Sequence, residues 1–278
     1  MAQRVAFFGP AGTFTEEALL ISTREPVEEI PFPTVYETVM AVHEGHAERG
    51  IVPIENSLEG AVTATLDTLA VEAPDVRIVA EVVLPISHCL IARSKLPLDG
   101  VARVVSHPQA TAQCARFLRE KLPQAELGSV GSTAEAVRVV AESDEPWAAI
   151  GSRLSADLYD CTLLAEGIAD SDENYTRFVW VAPAGTETDA PGPRKTSVVF
   201  WGFNDDSPGA LVAVLSEFSE RSINLTKIES RPHRGRLGHY MFFADLEGGE
   251  ADAPVAEALA ALRERVETLR VLGSYPAA

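Results

Sequence analysis

The stretch ENYTRFVWVAP, Glu173 to Pro183, sets Thr176 between an acidic loop and an apolar run, beside Arg177 and Phe178. A threonine hydroxyl has almost no acid–base strength in water, and its β-branched side chain has few rotamers in which to be misplaced. A surface turn accounts for Thr176 alone. It does not account for Arg177 and Phe178 running straight into Val179, Trp180 and Val181. Taken by itself the stretch is a loop end, a surface charge and a core aromatic. Companion motifs change that reading.

Three strand-to-helix corners share one design. GPAGTFTEEA turns through Gly9 to Gly12 and offers Thr13 and Glu16 at capping-box spacing. PIENSLEG supplies Glu55, Asn56 and Ser57, and SHPQATAQC supplies Ser106, His107, Gln109 and Thr111. Free N–H groups at a helix start hold anions without basic side chains. That matters because Lys and Arg total 23 against 41 Asp and Glu, a net charge of −18. Such a field repels nucleic acid and acidic membranes, so neither is an expected partner, and an anionic ligand needs local positive potential. At each corner the same hydroxyls and amides also serve as plain helix caps.

Other chemistries lack their residues. GPAGTF misses the third glycine of GxGxxG, and there is no GxxxxGK[ST], HExxH or GxSxG. The six histidines show no metal-ligand spacing, so no metal and no cofactor is expected; His88 and His107 read as hydrogen-bonded structural residues. Cys89, Cys114 and Cys161 are too widely spaced for a disulfide framework and read as buried thiols. No apolar run reaches the roughly 18 residues of a membrane span, and the first residues turn strand-like without a leader, so a cytoplasmic protein is expected.

Stepping out to the elements, short β-branched runs alternate with helical stretches from Arg4 to Val181, which predicts an α/β sheet covered on both faces. RIVAEVVLPISHCLIARS and CTLLAEGIAD look like crossings between two lobes, making the first lobe discontinuous: about 1–84 and 166–182, with 85–165 as the second. Residues 183–195, APAGTETDAPGPRK without its first residue, read as a linker. Residues 196–278 then follow the order βαββαβ, a ferredoxin-like module.

In order and at family-like separations, GPAGTFTEEA, VPIENSLEGAV, SHCLIA, SHPQATAQC, AAIGSRLSADLYDCTLLAEGIAD and NYTRFVWV resemble the successive signatures of prephenate dehydratases. PGALVAVLSEF, INLTKIESRP and VLGSYP resemble the ACT regulatory domain that follows them. IADSDENYT keeps Asp170 and Asn174 of the family pattern and varies between them. The resemblance implies a two-lobed, periplasmic-binding-protein-like catalytic domain that removes carbon dioxide and water from prephenate to give phenylpyruvate without a cofactor. Aromatisation supplies most of the driving force, so the enzyme must chiefly help hydroxide depart, and a hydrogen-bond donor on that oxygen in a water-poor cleft does so.

Thr176 is the candidate donor, with Arg177 and Phe178 as its catalytic neighbours. Arg177 pairs with a carboxylate, either a substrate group or Glu55; Phe178 fixes the Thr176 rotamer or flanks the ring. Thr13, Asn56, Ser57, Gln109 and Thr111, with Glu55, Ser87, His107 and Asn174, are the candidate substrate contacts. The ACT resemblance implies paired domains that bind phenylalanine between Pro208, Gly209, Ala210 and Leu211 of one subunit and a partner's Asn224, Leu225, Glu229, Ser230, Arg231 and Pro232, in a homodimer or homotetramer. The rival readings are an arogenate dehydratase and an amino-acid sensor without catalysis.

Overall fold

The computed structural model describes residues 2–187, 192–203, 207–233 and 238–278. Part of the expected linker, 188–191, and most of the expected RGRLG turn, 234–237, lie outside the described residues.

Two α/β lobes and a third sheet account for the chain. In the first lobe the strand order is Val27–Phe32, Gln3–Phe8, Arg49–Asn56, Tyr175–Pro183, Val76–Pro85. The first three run parallel, and Tyr175–Pro183 inserts antiparallel between Arg49–Asn56 and Val76–Pro85. A strand so placed is covered on both faces, and the continuous apolar run from Phe178 to Ala182 is the sequence signature of that position. The second lobe orders Thr162–Ala165, Cys89–Ala92, Trp147–Gly151, Arg103–Ser106, Glu126–Ser129. The chain crosses at Ile86–His88 and returns at Glu166–Asn174, and the two crossings are tied together: Ile86 N donates to Asn174 O at 2.8 Å and Ile168 N to His88 O at 3.1 Å.

The C-terminal sheet orders Leu225–Pro232, Tyr240–Glu247, Arg194–Trp201, Thr268–Pro276, all antiparallel, with helices Ala210–Ser219 and Ala253–Arg263: the βαββαβ module. It docks tightly on the first lobe. Val199, Met241, Phe243, Leu272 and Tyr275 join one buried cluster with Val179, Val181, Leu66 and Leu69. A Cβ on Gly273 would sit 2.2 Å from the Ile78 carbonyl oxygen, so only glycine lets the two backbones approach this closely. Side chains alternate along Tyr175–Pro183: Phe178, Trp180 and Ala182 pack with helix Phe14–Ser22, whereas Val179 and Val181 pack toward the C-terminal domain. Between its exposed ends the strand therefore faces two different environments. Among the described residues no helix is long and apolar enough to cross a membrane.

Candidate functional site

Thr176 stands directly across from Asn56 in the antiparallel ladder, 9% exposed. Asn56 Nδ2 donates to Thr176 Oγ1 at 2.9 Å and to Asn174 Oδ1 at 2.9 Å. The other end of the amide is fixed, because Asn56 Oδ1 accepts from Leu58 N at 2.9 Å and Glu59 N at 3.0 Å. With an N–H aimed at its oxygen, Thr176 keeps its own proton free to donate, and a hydroxyl that accepts one hydrogen bond donates a stronger one. The strand Arg49–Asn56 reaches this register through an irregularity between the Arg177↔Glu55 and Phe178↔Pro53 pairs, which leaves Ile54 as an extra residue beside the site.

The amide chain continues into the second lobe. Asn174 Nδ2 donates to Gln113 Oε1 at 3.1 Å, and Gln113 Nε2 donates to Glu59 Oε1 at 3.1 Å. His88 Nε2 lies 2.9 Å from the same Gln113 oxygen, so it must be the protonated nitrogen, and its buried Nδ1 has no hydrogen-bond partner. Burial pulls the His88 pKa below its usual value, against the opposing pull of Gln113, and the ring is neutral at pH 7. It also meets Phe14 edge to face, centroids 5.6 Å apart.

These groups line a cleft of about 370 Å³ between the lobes. Three helix starts face it. Thr13 caps Phe14–Ser22, Oγ1 accepting from Glu16 N at 3.4 Å; His107 caps Pro108–Gln113; Ser132 caps Thr133–Ala141, Oγ accepting from Glu135 N at 3.0 Å. Gly12 supports the first corner at φ 87°, a conformation that favours glycine, and its carbonyl accepts from Ser152 Oγ of the second lobe at 2.9 Å. No Lys, Arg, Asp or Glu is among the lining residues. Positive potential in this acidic chain comes from backbone N–H groups and amides.

Of the residues singled out in the sequence, Thr13, Asn56, His107, Gln109, Asn174, Thr176 and Phe178 line this cleft. Ser57 does not: its Oγ donates to Glu173 O and accepts from Tyr175 N, suturing two loops. Ser87 is exposed beyond the cleft, and Thr111 donates to His107 O and lines a separate apolar hollow with Leu118 and Leu127. Gln113, Ser132 and Thr133 escaped the sequence reading. The signal for the last two was GSTAE, an S-x-x-E capping box: Glu135 reaches back to Gly131 N at 2.9 Å.

Arg177 and Glu55 meet each other, one of the two pairings the sequence left open for Arg177, but they do so outside the cleft in which both were expected. Adjacent strand residues face opposite sides, so with Thr176 in the cleft Arg177 points to the rear, as does Glu55, its cross-strand partner. There Arg177 Nε pairs with Glu81 at 2.6 Å, Nη1 with Asp245 at 2.6 Å and with Glu55 at 3.2 Å, and Nη2 donates to Tyr275 OH at 2.8 Å. Burial alone would lower the guanidinium pKa, but Tyr275, Asp245 and Glu81 raise it further still, so it stays a cation. Arg177 touches no lining residue's ligand space; it belongs to the domain junction. Cys89 and Cys114 are buried as expected and Cys161 is only half-buried; burial pushes Cys114 up to about 12 and raises Cys89 and Cys161, which disfavours their thiolates.

In the C-terminal domain Gly209, Ala210 and Leu211 line a hollow of about 340 Å³ with Phe203, Tyr240 and Phe242. Pro208 immediately precedes; the helix starts at Ala210, with Gly209 as its cap at φ 84°. Leu225–Pro232 is an edge strand, so Glu229, Ser230, Arg231 and Pro232 are not part of that hollow within one chain. Leu225 packs into the domain core, Asn224 Nδ2 donates to Glu247 at 3.0 Å, and Arg231 pairs bidentately with Asp67 of the first lobe, both contacts 2.8 Å.

Residues 5–186 match the family model for prephenate dehydratase and residues 203–264 that for the ACT domain. The prephenate dehydratase of Amycolatopsis methanolica is 39% identical over 273 residues, 98% of this chain and 88% of that one. The crystal structure of prephenate dehydratase from Arthrobacter aurescens in complex with L-Phe has a TM-score of 0.89 and 40% identity, covering 99% of this chain and 90% of that one. A quorum-quenching acylase, GqqA, has a TM-score of 0.86 at 30% identity, covering 99% of this chain and 98% of its own. The acylase carries its own activity on a similar frame, so the reaction has to be argued from the site. Similarity at this level along nearly the whole chain, with both domains in the same order, makes this protein a member of the prephenate dehydratase family with a C-terminal ACT domain.

Proposed function

We propose that the chain converts prephenate to phenylpyruvate, carbon dioxide and water, as a cytoplasmic homodimer or homotetramer inhibited by L-phenylalanine. The observation that carries the reading is the Asn56–Thr176 pair: a hydroxyl oxygen in the cleft lining that accepts an N–H at 2.9 Å, which leaves its own proton free to donate. As the ring carboxylate leaves as carbon dioxide, its bonding electrons enter the ring and the ring hydroxyl departs with its own pair. Thr176 donates to that oxygen as charge develops on it, and Asn56 stabilises the partial charge left on Oγ1. The helix starts at Thr13 and Ser132, with Gln109, hold the substrate carboxylates, and Phe178 buttresses the ring side of Thr176.

An arogenate substrate carries an ammonium where prephenate carries a keto group. The Glu59 carboxylate is already held by Gln113 and stands outside the lining, so the lining itself offers an ammonium only neutral acceptors, which favours the keto acid. Phenylalanine is assigned to the Gly209–Leu211 helix start of one subunit and the Leu225–Pro232 edge strand of the next. Incubating the purified protein with prephenate and with arogenate, and following phenylpyruvate and phenylalanine, tests the reading. Turnover of prephenate with the higher kcat/KM, inhibited by L-phenylalanine, is the expected result; absence of turnover on both substrates refutes it.

A further inference from the structure

Behind Thr176 the two domains share a cluster whose parts close on themselves. Ser197 Oγ donates to Asp245 Oδ1 at 2.5 Å, which leaves the Tyr275 hydroxyl as the donor in its 2.6 Å contact with Ser197 Oγ. Tyr275 OH in turn accepts from Arg177 Nη2, and Arg177 Nη1 returns to Asp245 Oδ2. Burial and Asp245 raise the Tyr275 pKa, so the hydroxyl keeps the proton it donates. The ring Arg177–Asp245–Ser197–Tyr275 thus has every donor direction fixed, with Arg177 from the first lobe and the other three from the ACT domain.

Charges around the ring balance. Arg177, Lys195 and Lys227 face Glu55, Glu81 and Asp245: Lys195 Nζ lies 2.7 Å from Glu81, and Lys227 Nζ lies 3.4 Å from Glu55 without a hydrogen bond. Lys227 sits in Leu225–Pro232, the edge strand that also carries Glu229, Ser230 and Arg231, and Asp245 is its register partner in the next strand. Two short routes therefore reach the catalytic rung from the ACT sheet. Asp245 and Tyr275 grip Arg177, whose chain neighbour is Thr176; Lys227 meets Glu55, whose chain neighbour is Asn56.

We propose that Asp245 and Tyr275 of the ACT domain are positioning residues for the dehydration, setting the Thr176 hydroxyl through Arg177, and that effector binding at the ACT edge slows turnover by shifting this grip. The inference rests on the reading of Thr176 as the donor. A displacement well under a helix turn suffices, because misplacing a reacting group by about 1 Å costs up to about 10²-fold in rate. Substrate contacts lie on the other face of the strand, so the grip governs kcat and leaves KM alone.

The test uses Tyr275→Phe, which keeps the packing and removes the hydroxyl that accepts from Arg177 and donates to Ser197, and Asp245→Asn, with Asp67→Asn as a control that loosens the Arg231 contact between domains without touching the ring. The measurements are kcat, KM, fold inhibition by L-phenylalanine and thermal midpoint. Tyr275→Phe and Asp245→Asn are expected to lower kcat by about 10- to 100-fold at unchanged KM and to lose most of the response to L-phenylalanine. Asp67→Asn is expected to lower the midpoint and keep kcat. Ring variants that lose thermal stability yet keep kcat and inhibition overturn the proposal, as does an Asp67→Asn enzyme that loses kcat equally. A lowered kcat with intact inhibition overturns the coupling. A parent chain that does not turn over prephenate instead strikes the functional reading itself, and this inference falls with it.

Discussion

One strand serves two environments that solve opposite electrostatic problems. On its cleft face Thr176, Asn56, Asn174 and Gln113 form a chain of neutral donors and acceptors with no ionised side chain in the lining. On its rear face, one residue on, Arg177 is buried among Glu55, Glu81 and Asp245 with two lysines completing the balance. The cleft must accept a doubly charged substrate and release a less charged product, so permanent cations there would hold product as well as substrate. Oriented amides and helix starts give positive potential without that cost, and they do not reorganise as the bond breaks. The rear face has no ligand to exchange. Its charges are compensated within the protein, and such a cluster serves geometry more than stability.

The comparison can be broken from either side. Replacing Arg177 by Met leaves the Asp245 side chain, 6% exposed, without its paired cation, and Glu81, 2% exposed, with Lys195 alone. Removing one partner of a buried pair costs about 3–5 kcal/mol, so chemical denaturation should show a loss of that size. A smaller loss would mean water or Lys195 compensates the carboxylates. On the cleft face, Asn56→Ala removes a neutral donor from Thr176. Stability should change less than in Arg177→Met, while kcat falls by about 10²- to 10³-fold, the cost of losing one donor to a developing oxyanion.

The smallest effect concerns pH. In the folded chain the His88 pKa is lowered, so below its ordinary value of 6.5 the unfolded chain binds a proton that the folded chain does not. Stability therefore falls as pH drops through that window, by at most about 1.4 kcal/mol per pH unit for one group. His88→Gln keeps a donor toward Gln113 without the titration, and urea midpoints below pH 6.5 should fall less steeply. An unchanged slope would show that His88 takes up its proton in the folded chain.

Much of this was legible because the sequence repeats its logic. The cap at Thr13, the apolar run after Phe178 and the βαββαβ order each have a local signature, and each stands where that signature predicts. Arg177 was misplaced for a reason of the same kind. Strand alternation assigns Thr176 and Arg177 to opposite faces, but nothing local says which face is the cleft. That depends on Asp245 and Tyr275, more than sixty residues away in sequence. Gln113 was invisible for another reason: its role comes from the lobes meeting, where one side-chain oxygen is shared by His88 and Asn174. At the start of the first ACT helix Gly209 and Ala210 line a hollow, and the ESRP segment, expected to meet such a hollow from a partner subunit, lies on a separate edge of the same chain.

If the Thr176 hydroxyl eases the leaving oxygen from the ring, removing that hydroxyl alone slows the chemical step. Thr176→Val preserves the branched shape and removes the hydroxyl, and the decisive quantity is kcat for prephenate beside KM in the same enzyme. The account predicts a fall in kcat of about 10²- to 10⁴-fold with little change in KM. A valine enzyme that turns over at the parent rate would contradict it.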